Sequence, residues 1–320
     1  MILISGASGF IGQRLFRSRQ ARGESCCALV RRPLKDACCR IADLGDLAAL
    51  KAACEGVETV IHCAGYAHAF SSRADSDEAA HWEINYRGTR NLVEAAGQAG
   101  VRKFVFLSTV KAMAEPGDCC VDEDFPGEPL TAYGKAKRAA EQVVVECGNK
   151  YRMHVVNLRL AMVYGAGGKG NLERMAALVR RNLFPPLPET GNRRTLVHVN
   201  DVISAVDKVI NDSRASGRTY IVASRDAPSG RALFDALRSA QGMPPVDWSV
   251  SSSVLRLAAA FGDGFGKILG RRFFFDSETL DRLLYSAWYC PGRIERELGW
   301  RASTSLTEGL AEMLKNEASY

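Results

Sequence analysis

The sequence predicts an α/β fold, a Rossmann-like doubly wound parallel sheet with a smaller C-terminal substrate domain. The first half of the chain alternates short apolar runs with longer amphipathic stretches, which is typical of parallel strands joined by helices. After Tyr164 this alternation gives way to a glycine-rich loop, "GAGGKGN", and a proline-rich connection, "LFPPLPETGNRR", neither of which can be regular helix.

Each element of the sheet follows from a local pattern. Short apolar runs predict strands at 2–5, 26–30, 59–63, 103–108 and 154–160. Amphipathic stretches predict helices at 11–22, 46–54, 79–99 and 131–148. A further strand, "RTYIVAS" at 218–224, is expected to return to the main sheet.

The composition narrows the class of protein. Of 320 residues, 47% are apolar and 24% are charged, as in ordinary folded globular proteins. The net charge is +6, but the basic residues form no long run, which favours anionic small molecules over nucleic acid. No membrane span is expected, because the most apolar window, 252–270, is interrupted by charges. It predicts an amphipathic helix or helix pair on a core, with a membrane-surface segment as the alternative.

The ten cysteines are interpreted as reduced thiols. No C-x-x-C motif or Cys/His set at zinc spacing occurs, so no metal site is predicted. The opening "MILISGASGFIG" has no basic leader, and no signal peptide is expected. A reducing, cytoplasmic location follows as an expectation.

The first strand runs directly into a glycine-rich turn. "ISGASGFIGQRL" places three glycines at G-x-x-G-x-x-G spacing between a strand and a helix. Glycines let the turn close tightly and let the backbone approach a pyrophosphate, whose charge the helix amides meet. The predicted cofactor contacts of this turn are Gly6, Gly9, Phe10, Ile11 and Gly12. We therefore expect a dinucleotide-binding domain over 1–165, to which 195–225 returns, and a mainly substrate-binding domain over 166–320.

The end of the second strand indicates which dinucleotide binds. An acidic residue there would accept a hydrogen bond from the ribose 2′-hydroxyl of NAD. Here the strand ends "ALVRRP", and the guanidinium of Arg31 suits a 2′-phosphate instead. NADP(H) is therefore favoured over NAD(H), with a solvated arginine as the alternative. Asp43 and Leu44, after a third short strand, are candidate adenine contacts.

A tyrosine and a lysine suggest proton chemistry. "TAYGKAK" places Tyr133 four residues before Lys137, so on a helix both lie on one face. A neighbouring ammonium is expected to lower the tyrosine pKa from about 10, so that the phenol can exchange a proton with a substrate hydroxyl. "FVFLSTV" ends a strand at the sheet edge where α/β folds bind ligands. We predict that Thr109 orients the reacting oxygen, with Ser108 as the alternate.

Together these motifs resemble the extended short-chain dehydrogenases/reductases, the NAD(P)-dependent epimerase/dehydratase group that acts on nucleotide sugars. The resemblance spans nearly the whole chain, and its marks are "SGASGFIG", "TVIHCAG", "INYRGTRNLVEAA", "FVFLSTV", "AYGKAK", "LRLAMVYG", "RRTLVHVNDV" and "RELGWRASTSLTEGL". It implies that Ala64 and Gly65 line the cofactor and that Asn85 braces the central helix. It also implies a catalytic set of Thr109, Tyr133 and Lys137.

The resemblance implies a substrate site as well. Arg194 matches the arginine that grips the substrate diphosphate, with an exposed strand charge as the alternative. His68, in the loop after the fourth strand, is a candidate substrate contact. The chain also departs from the family pattern. Val110 and Lys111 replace the Asp-Glu pair of 4,6-dehydratases, which disfavours dehydration. The position of the family's second diphosphate arginine holds Leu280 instead, although Arg282 is near.

These features predict an NAD(P)-dependent enzyme that exchanges hydride at C4 of a nucleotide-linked sugar, by 4-keto reduction or 4-epimerisation. Family members often dimerise through two long helices, which here would be 79–99 and 131–148, so a homodimer is expected. The alternative is a reductase of an apolar ketone or hydroxysteroid-like substrate, whose pocket Leu255, Phe261 and Phe265 would close. A cofactor-binding protein without catalysis is a third hypothesis.

Overall fold

The computed structural model describes residues 1–35, 37–66, 78–168, 170–268 and 276–315. The strands in these ranges are β1 Ile2–Ser5, β2 Cys26–Val30, β3 Cys39–Ile41, β4 Thr59–His62, β5 Lys103–Thr109, β6 His154–Leu160, β7 Met162–Tyr164, β8 Leu196–His198 and β9 Arg218–Val222. Seven of them form one sheet in the order β3-β2-β1-β4-β5-β6-β9, and all its neighbours are parallel. The predicted doubly wound sheet is confirmed. Its strand order changes direction between β1 and β4, the point at which such sheets bind ligands.

Helices connect the strands. The α-helices in the described ranges are α1 Phe10–Ala21, α2 Leu47–Cys54, α3 Gly88–Gln98, α4 Ala132–Tyr151, α5 Asn171–Arg180, α6 Val199–Asn211, α7 Gly230–Ala240, α8 Ser252–Ile268, α9 Ser277–Leu284, α10 Gly292–Leu298 and α11 Leu306–Lys315. A π-helix, His81–Arg87, runs into α3, so the predicted helix at 79–99 is wound differently in its first part. Two short 3₁₀ turns occupy Val110–Ala112 and Ser213–Ala215. No described helix is both long and apolar enough to cross a membrane.

Side chains alternate between the two faces of the sheet, and each face carries its own core. Leu3 points toward a cluster that includes Leu50, Leu92 and Val144 from α2, α3 and α4. The next residue, Ile4, joins the opposite cluster with side chains of α1 and α6. Because successive residues of a strand face opposite sides, apolar residues at every strand position bury both faces.

The chain after β6 alternates between the main sheet and a separate core. The β7 and β8 strands pair with each other in a two-stranded sheet, whereas β9 pairs with β6 at the edge of the main sheet. A third core joins β7 and β8 to α5, α7, α8, α9 and α11, with Leu187, Phe234 and Leu310 fully buried at its centre. The domain boundary at residue 165 stays a prediction.

The expectation that all ten cysteines are reduced is wrong for one pair. Cys27 is disulfide-bonded to Cys38. The register that places Ala28 opposite Cys39 on parallel β2 and β3 places Cys27 opposite Cys38, with their Cα atoms 4.7 Å apart. Cysteine spacing could not indicate this bond, because only the strand register brings the two side chains together.

The disulfide predicts a thiol count. Eight cysteines are free. The protein is denatured without reductant, and thiol–disulfide exchange is blocked by acid quenching. It is then expected to react with dithionitrobenzoate at eight thiols, and at ten thiols after reduction. A Cys38→Ser variant should give nine under the first condition. Ten reactive thiols in the unreduced wild type would contradict the bond.

Candidate active site

A cavity of about 220 Å³ opens at the carboxyl ends of β4, β5 and β6. Its walls also include the start of α1 and the first turns of α4. The lining residues are Ile11, Cys63, Gly65, Tyr66, Leu107, Ser108, Thr109, Tyr133, Lys137, Leu160, Ala161 and Val163. The structure therefore brings together the predicted catalytic set and two of the predicted cofactor contacts, Ile11 and Gly65.

The glycine turn packs too closely against the backbone to accept side chains. Gly6 has a φ of +69°, and a Cβ on it would lie 2.6 Å from the Ala64 backbone nitrogen. A Cβ on Gly12 would lie 2.2 Å from the Gly6 carbonyl oxygen. Gly9 precedes α1 and provides no side-chain cap. The first amides of α1 are thus available to an anion, and the turn fits the pyrophosphate of a dinucleotide.

The other predicted cofactor residues lie along the same sheet edge. Ser5 pairs with Leu29, so the Gly6 turn and exposed Arg31 emerge side by side from β1 and β2. Asp43 follows β3 and accepts a hydrogen bond from the Gly45 amide at 2.8 Å. The Leu44 carbonyl accepts one from the Asn91 side chain at 2.9 Å. These bonds fix the loop at the end of the sheet where an adenosine would extend.

Local capping places the tyrosine. Thr131 begins α4 by accepting a hydrogen bond from the Gly134 amide at 3.1 Å, which puts Tyr133 in the first turn. A Cβ on Gly134 would lie only 2.2 Å from the Lys111 carbonyl oxygen, so glycine lets α4 pack directly against the segment after β5. That contact brings the Tyr133 hydroxyl into a hydrogen bond with the Thr109 side chain.

Burial dominates the electrostatics of the catalytic set. It raises the pKa of Tyr133 to about 12, although the hydrogen bond from Thr109 acts to lower that pKa. Burial also lowers the pKa of Lys137 to about 8, although nearby Glu141 and Cys63 favour its charge. The expected lowering of the tyrosine pKa by Lys137 is therefore wrong for the protein alone, because the enclosed site disfavours a phenolate.

Lys137 is held at the wall of the cavity. Its ammonium donates a hydrogen bond to the Leu107 carbonyl at 3.0 Å and lies 4.4 Å from the centre of the Phe106 ring. A Cβ on Gly65 would lie 3.5 Å from Lys137 Nζ. The glycine thus keeps open the space between the loop after β4 and the lysine.

Ser108 points away from Tyr133. Its hydroxyl donates a 2.5 Å hydrogen bond to buried Glu141. Glu141 also forms an ion pair with Arg159 at 2.8 Å. Adjacent strand residues face opposite sides, so Thr109 faces Tyr133 while Ser108 supports α4 from behind. The structure therefore favours Thr109 over Ser108 as the hydroxyl that orients substrate, and that choice stays a prediction.

A chain of buried polar groups joins β1 to the π-helix. His62 contacts the Ser5 hydroxyl at 2.6 Å and the Thr89 hydroxyl at 2.9 Å. Asn85 accepts a hydrogen bond from the Tyr66 amide and donates one to the Tyr66 carbonyl, both at 2.8 Å. Burial, aided by Lys137, lowers the pKa of His62 to about 3, so this histidine is neutral. The network fixes the loop that carries Gly65.

Two aromatic residues near Tyr133 were missed by sequence reasoning. The His81 ring lies between Tyr133 and Tyr66, with ring centres 5.4 and 5.1 Å away. The Asn85 amide contacts His81 Nδ1 at 3.2 Å. Available signals were weak: Tyr66 directly follows Gly65, and His81 stands four residues before Asn85. The π-helical winding that presents them has no single-residue signature, although such turns are frequent at functional sites.

A pair of arginines marks the predicted diphosphate site. Arg194 donates a hydrogen bond to the Tyr285 carbonyl at 3.1 Å. Burial lowers the pKa of Arg194, and the positive charge of Arg282 acts in the same direction, whereas Tyr289 and Glu115 act against it. Leu280, at the position of the family's second arginine, is buried in the third core. His68 lies outside the described residues.

The apolar lining of the alternative substrate pocket does not form around Tyr133. Leu255 is buried in the third core, and Phe261 and Phe265 are 63% and 57% exposed. None of the three lines the cavity.

Among the described residues, no group of three or more histidine, cysteine, aspartate or glutamate side chains is placed to hold a metal ion.

The family model described as "NAD dependent epimerase/dehydratase family" matches residues 2–223. The chain belongs to that family. It is 27% identical to a UDP-glucose 4-epimerase from Vibrio cholerae, over 97% of this chain and 93% of that protein. It is 25% identical to a 2-alkyl-3-oxoalkanoate reductase from Stenotrophomonas maltophilia, over 99% of both. The solved structure of MoeE5 in complex with UDP-glucuronic acid and NAD has the same fold, with a TM-score of 0.77, 24% identity and 99% coverage of both chains.

Membership confirms an enzyme of the extended short-chain dehydrogenase/reductase type with an NAD(P) cofactor. Its glycine turn fits that cofactor, since it closes tightly and leaves the first amides of α1 without a side-chain cap. The family resemblance read from the sequence motifs is likewise confirmed.

Replacing Lys137 with methionine tests the cost of burying its charge. The unfolded chain keeps the ordinary lysine pKa of about 10.4, whereas folding lowers the pKa to about 8. The unfolded chain then binds more protons between these values, so the lysine makes the wild type more stable as pH rises through them. We expect Lys137→Met to be more stable than wild type at pH 7 and to unfold at a higher temperature. The difference in the free energy of unfolding between the two proteins should shrink by roughly 2 kcal/mol at pH 10.

Thermal unfolding of both proteins without cofactor, across this pH range, measures the margin. Lys135→Met is the control, because Lys135 is exposed on the same helix. Its difference from wild type should not change with pH. A Lys137→Met margin that is also independent of pH would contradict the buried-charge account.

Proposed function

We propose that the protein exchanges hydride between NADP(H) and C4 of a nucleotide-linked sugar, with 4-keto reduction as the leading reaction. The observation that carries this proposal is the convergence of Thr109, Tyr133 and Lys137 on one cavity at the edge of the sheet. Thr109 and Tyr133 share a hydrogen bond, so both hydroxyls can address one substrate oxygen. NADPH, when bound, supplies the hydride.

The state of the tyrosine supports the direction of reaction. A phenol with a pKa of about 12 is protonated at neutral pH and can donate its proton. That proton suits a keto oxygen, which must gain one as its carbon gains hydride. In 4-epimerisation, the close alternative, Tyr133 would first accept the hydroxyl proton, and the Lys137 ammonium would stabilise the phenolate that results.

The arginine pair supports a diphosphate in the substrate. Arg194 and Arg282 bring two positive charges to this region, which suits a substrate that carries a diphosphate. Similarity to a UDP-glucose 4-epimerase agrees with this substrate class.

Similarity to a 2-alkyl-3-oxoalkanoate reductase favours reduction of an apolar ketone as the second candidate. Val110 and Lys111 argue against 4,6-dehydration.

We further propose a homodimer in the cytoplasm, where the eight free cysteines would stay reduced. Leu92 of α3 and Val144 of α4 belong to the same core cluster, and these neighbouring helices could pair with their copies as four helices. The position of Arg31 beside the Gly6 turn supports NADP(H), because a 2′-phosphate would meet a guanidinium there.

Tyr133→Phe tests the proposed acid. With NADPH and a UDP-linked 4-keto sugar, we expect kcat to fall by roughly 10² to 10⁴-fold with little change in KM, because proton donation is lost while the ring remains. UDP-glucose epimerisation should fall similarly if it occurs. Tyr151→Phe is the matched control, since it removes a hydroxyl at the far end of α4. A wild-type kcat in Tyr133→Phe would overturn the mechanism.

Arg31→Asp tests the choice of cofactor. We expect wild type to bind NADPH more tightly than NADH, and the variant to lose about 2 kcal/mol of NADPH binding, roughly 30-fold in Kd. Fluorescence titration with each dinucleotide measures both affinities. Arg102→Asp makes the same charge change at the amino edge of the sheet, just before β5, and should leave both affinities unchanged. Equal or tighter NADH binding by wild type would contradict the preference.

A further inference from the structure

Two free cysteines meet where distant segments of the chain pair. Cys120 lies between β5 and α4, and Cys290 lies between α9 and α10. Val121 and Tyr289 form an isolated parallel bridge, in which the Val121 amide donates a hydrogen bond to the Trp288 carbonyl at 3.2 Å. The Cys290 amide donates one to the Val121 carbonyl at 2.8 Å. These bonds hold the two backbones side by side.

The two thiols interact on one face of this bridge. Side chains alternate along an extended segment, so Cys120 and Cys290, which flank the bridged residues, lie on the same side. The Cys120 thiol donates a hydrogen bond to the Cys290 sulfur. Partial burial raises the pKa of Cys120 to about 11, and the interaction with Cys290 acts in the same direction. Cys120 therefore stays a protonated donor, and Cys290 is the sulfur that is free to react first.

Exposure separates this pair from other free cysteines of the protein. Cys26, Cys54 and Cys147 are buried, whereas Cys120 is exposed and Cys290 is half-buried. An oxidant in solution reaches accessible thiols first. Sulfurs in hydrogen-bond contact also lie close enough for side-chain rotation to bring them to the roughly 2 Å of a disulfide. Access and proximity thus coincide at this pair.

We propose that Cys120 and Cys290 are a site of oxidative modification, at which a peroxide closes a disulfide between the two segments. The Cys290 thiolate attacks hydrogen peroxide, so that a sulfur–oxygen bond forms and the oxygen–oxygen bond breaks. The hydroxide that leaves becomes water with the proton that Cys290 released, and Cys290 is left as a sulfenic acid.

Cys120 completes the reaction. Its sulfur attacks the sulfenic acid, the sulfur–sulfur bond forms, and the hydroxyl group leaves as a second water with the Cys120 proton. Two thiols are oxidised, and one peroxide is reduced to two waters. In a reducing compartment the pair stays open until an oxidant arrives, and a thiol reductant opens it again.

The disulfide would fix one wall of the candidate diphosphate site. Arg194 forms a second isolated bridge with Ala287 and donates a hydrogen bond to the Tyr285 carbonyl at 3.1 Å. The segment 285–290 therefore supports Arg194 and carries Cys290. This consequence for substrate binding rests on the proposed function. Formation of the disulfide does not, because it is measured without substrate or cofactor.

The test is mass spectrometry of the oxidised protein. The folded protein is treated with hydrogen peroxide, the remaining thiols are blocked with N-ethylmaleimide, and trypsin is added without reductant. Trypsin releases Cys119 and Cys120 together in peptide 112–135, and Cys290 in peptide 283–293. We expect these peptides to be joined, the protein to lose two of its eight free thiols, and dithiothreitol to separate the peptides.

Matched serine variants identify the two thiols. Cys120→Ser and Cys290→Ser should each lose the joined peptides. Cys119→Ser is the control, because Cys119 is also exposed and lies next to Cys120, and it should keep them. Joined peptides in Cys120→Ser would overturn the proposal, as would their absence from peroxide-treated wild type.

Thermal unfolding provides a second measurement. A disulfide between positions far apart in the sequence restricts the unfolded chain, so oxidation should raise the unfolding temperature of wild type by roughly 5 °C. Cys120→Ser should unfold at the same temperature before and after peroxide, and should match untreated wild type because the side chain is exposed. An equal rise in Cys120→Ser would contradict the assignment of the bond.

Discussion

The close approach of the Gly6 turn to the Ala64 backbone determines where the rest of the site can lie. A Cβ at Gly6 would overlap that backbone, so only glycine lets β1 and β4 end side by side at the point where the strand order reverses. The loop after β4 then carries Gly65 toward Lys137, and Asn85 locks it through both backbone groups of Tyr66. This contact therefore positions the sheet edge and the loop that lines the cavity.

Burial is the second influence on the site, and it disfavours the charged forms of the catalytic side chains. The same enclosure that raises the pKa of Tyr133 lowers that of Lys137, so the protein alone favours a neutral phenol and weakens the ammonium. A site prepared in this way responds strongly to charges that a ligand brings in, because low polarity magnifies each electrostatic contact.

Sequence patterns predicted what depends on local chemistry. Apolar runs located the strands, and the glycine spacing located the turn, because both reflect properties of single residues and their neighbours. The disulfide of Cys27 could not be foreseen, since it depends on the register between β2 and β3. The direction of the Tyr133 pKa shift depends on how completely the folded chain encloses the phenol, which no motif records. Strand alternation, in contrast, could have separated Thr109 from Ser108, because neighbouring strand residues must face opposite sides.

The π-helix before α3 gives the site a separate means of variation. His81–Arg87 is wound more widely than an α-helix, and it presents His81 to Tyr133 while Asn85 holds the neighbouring loop. Loss of one residue there would restore α-helical winding and rotate His81 by about 100° relative to Asn85. A single insertion or deletion could therefore exchange the aromatic wall beside the acid without altering the tyrosine, the lysine or the dinucleotide turn. Evolution of new substrate preference in this scaffold would then proceed by changes of length as well as by substitution.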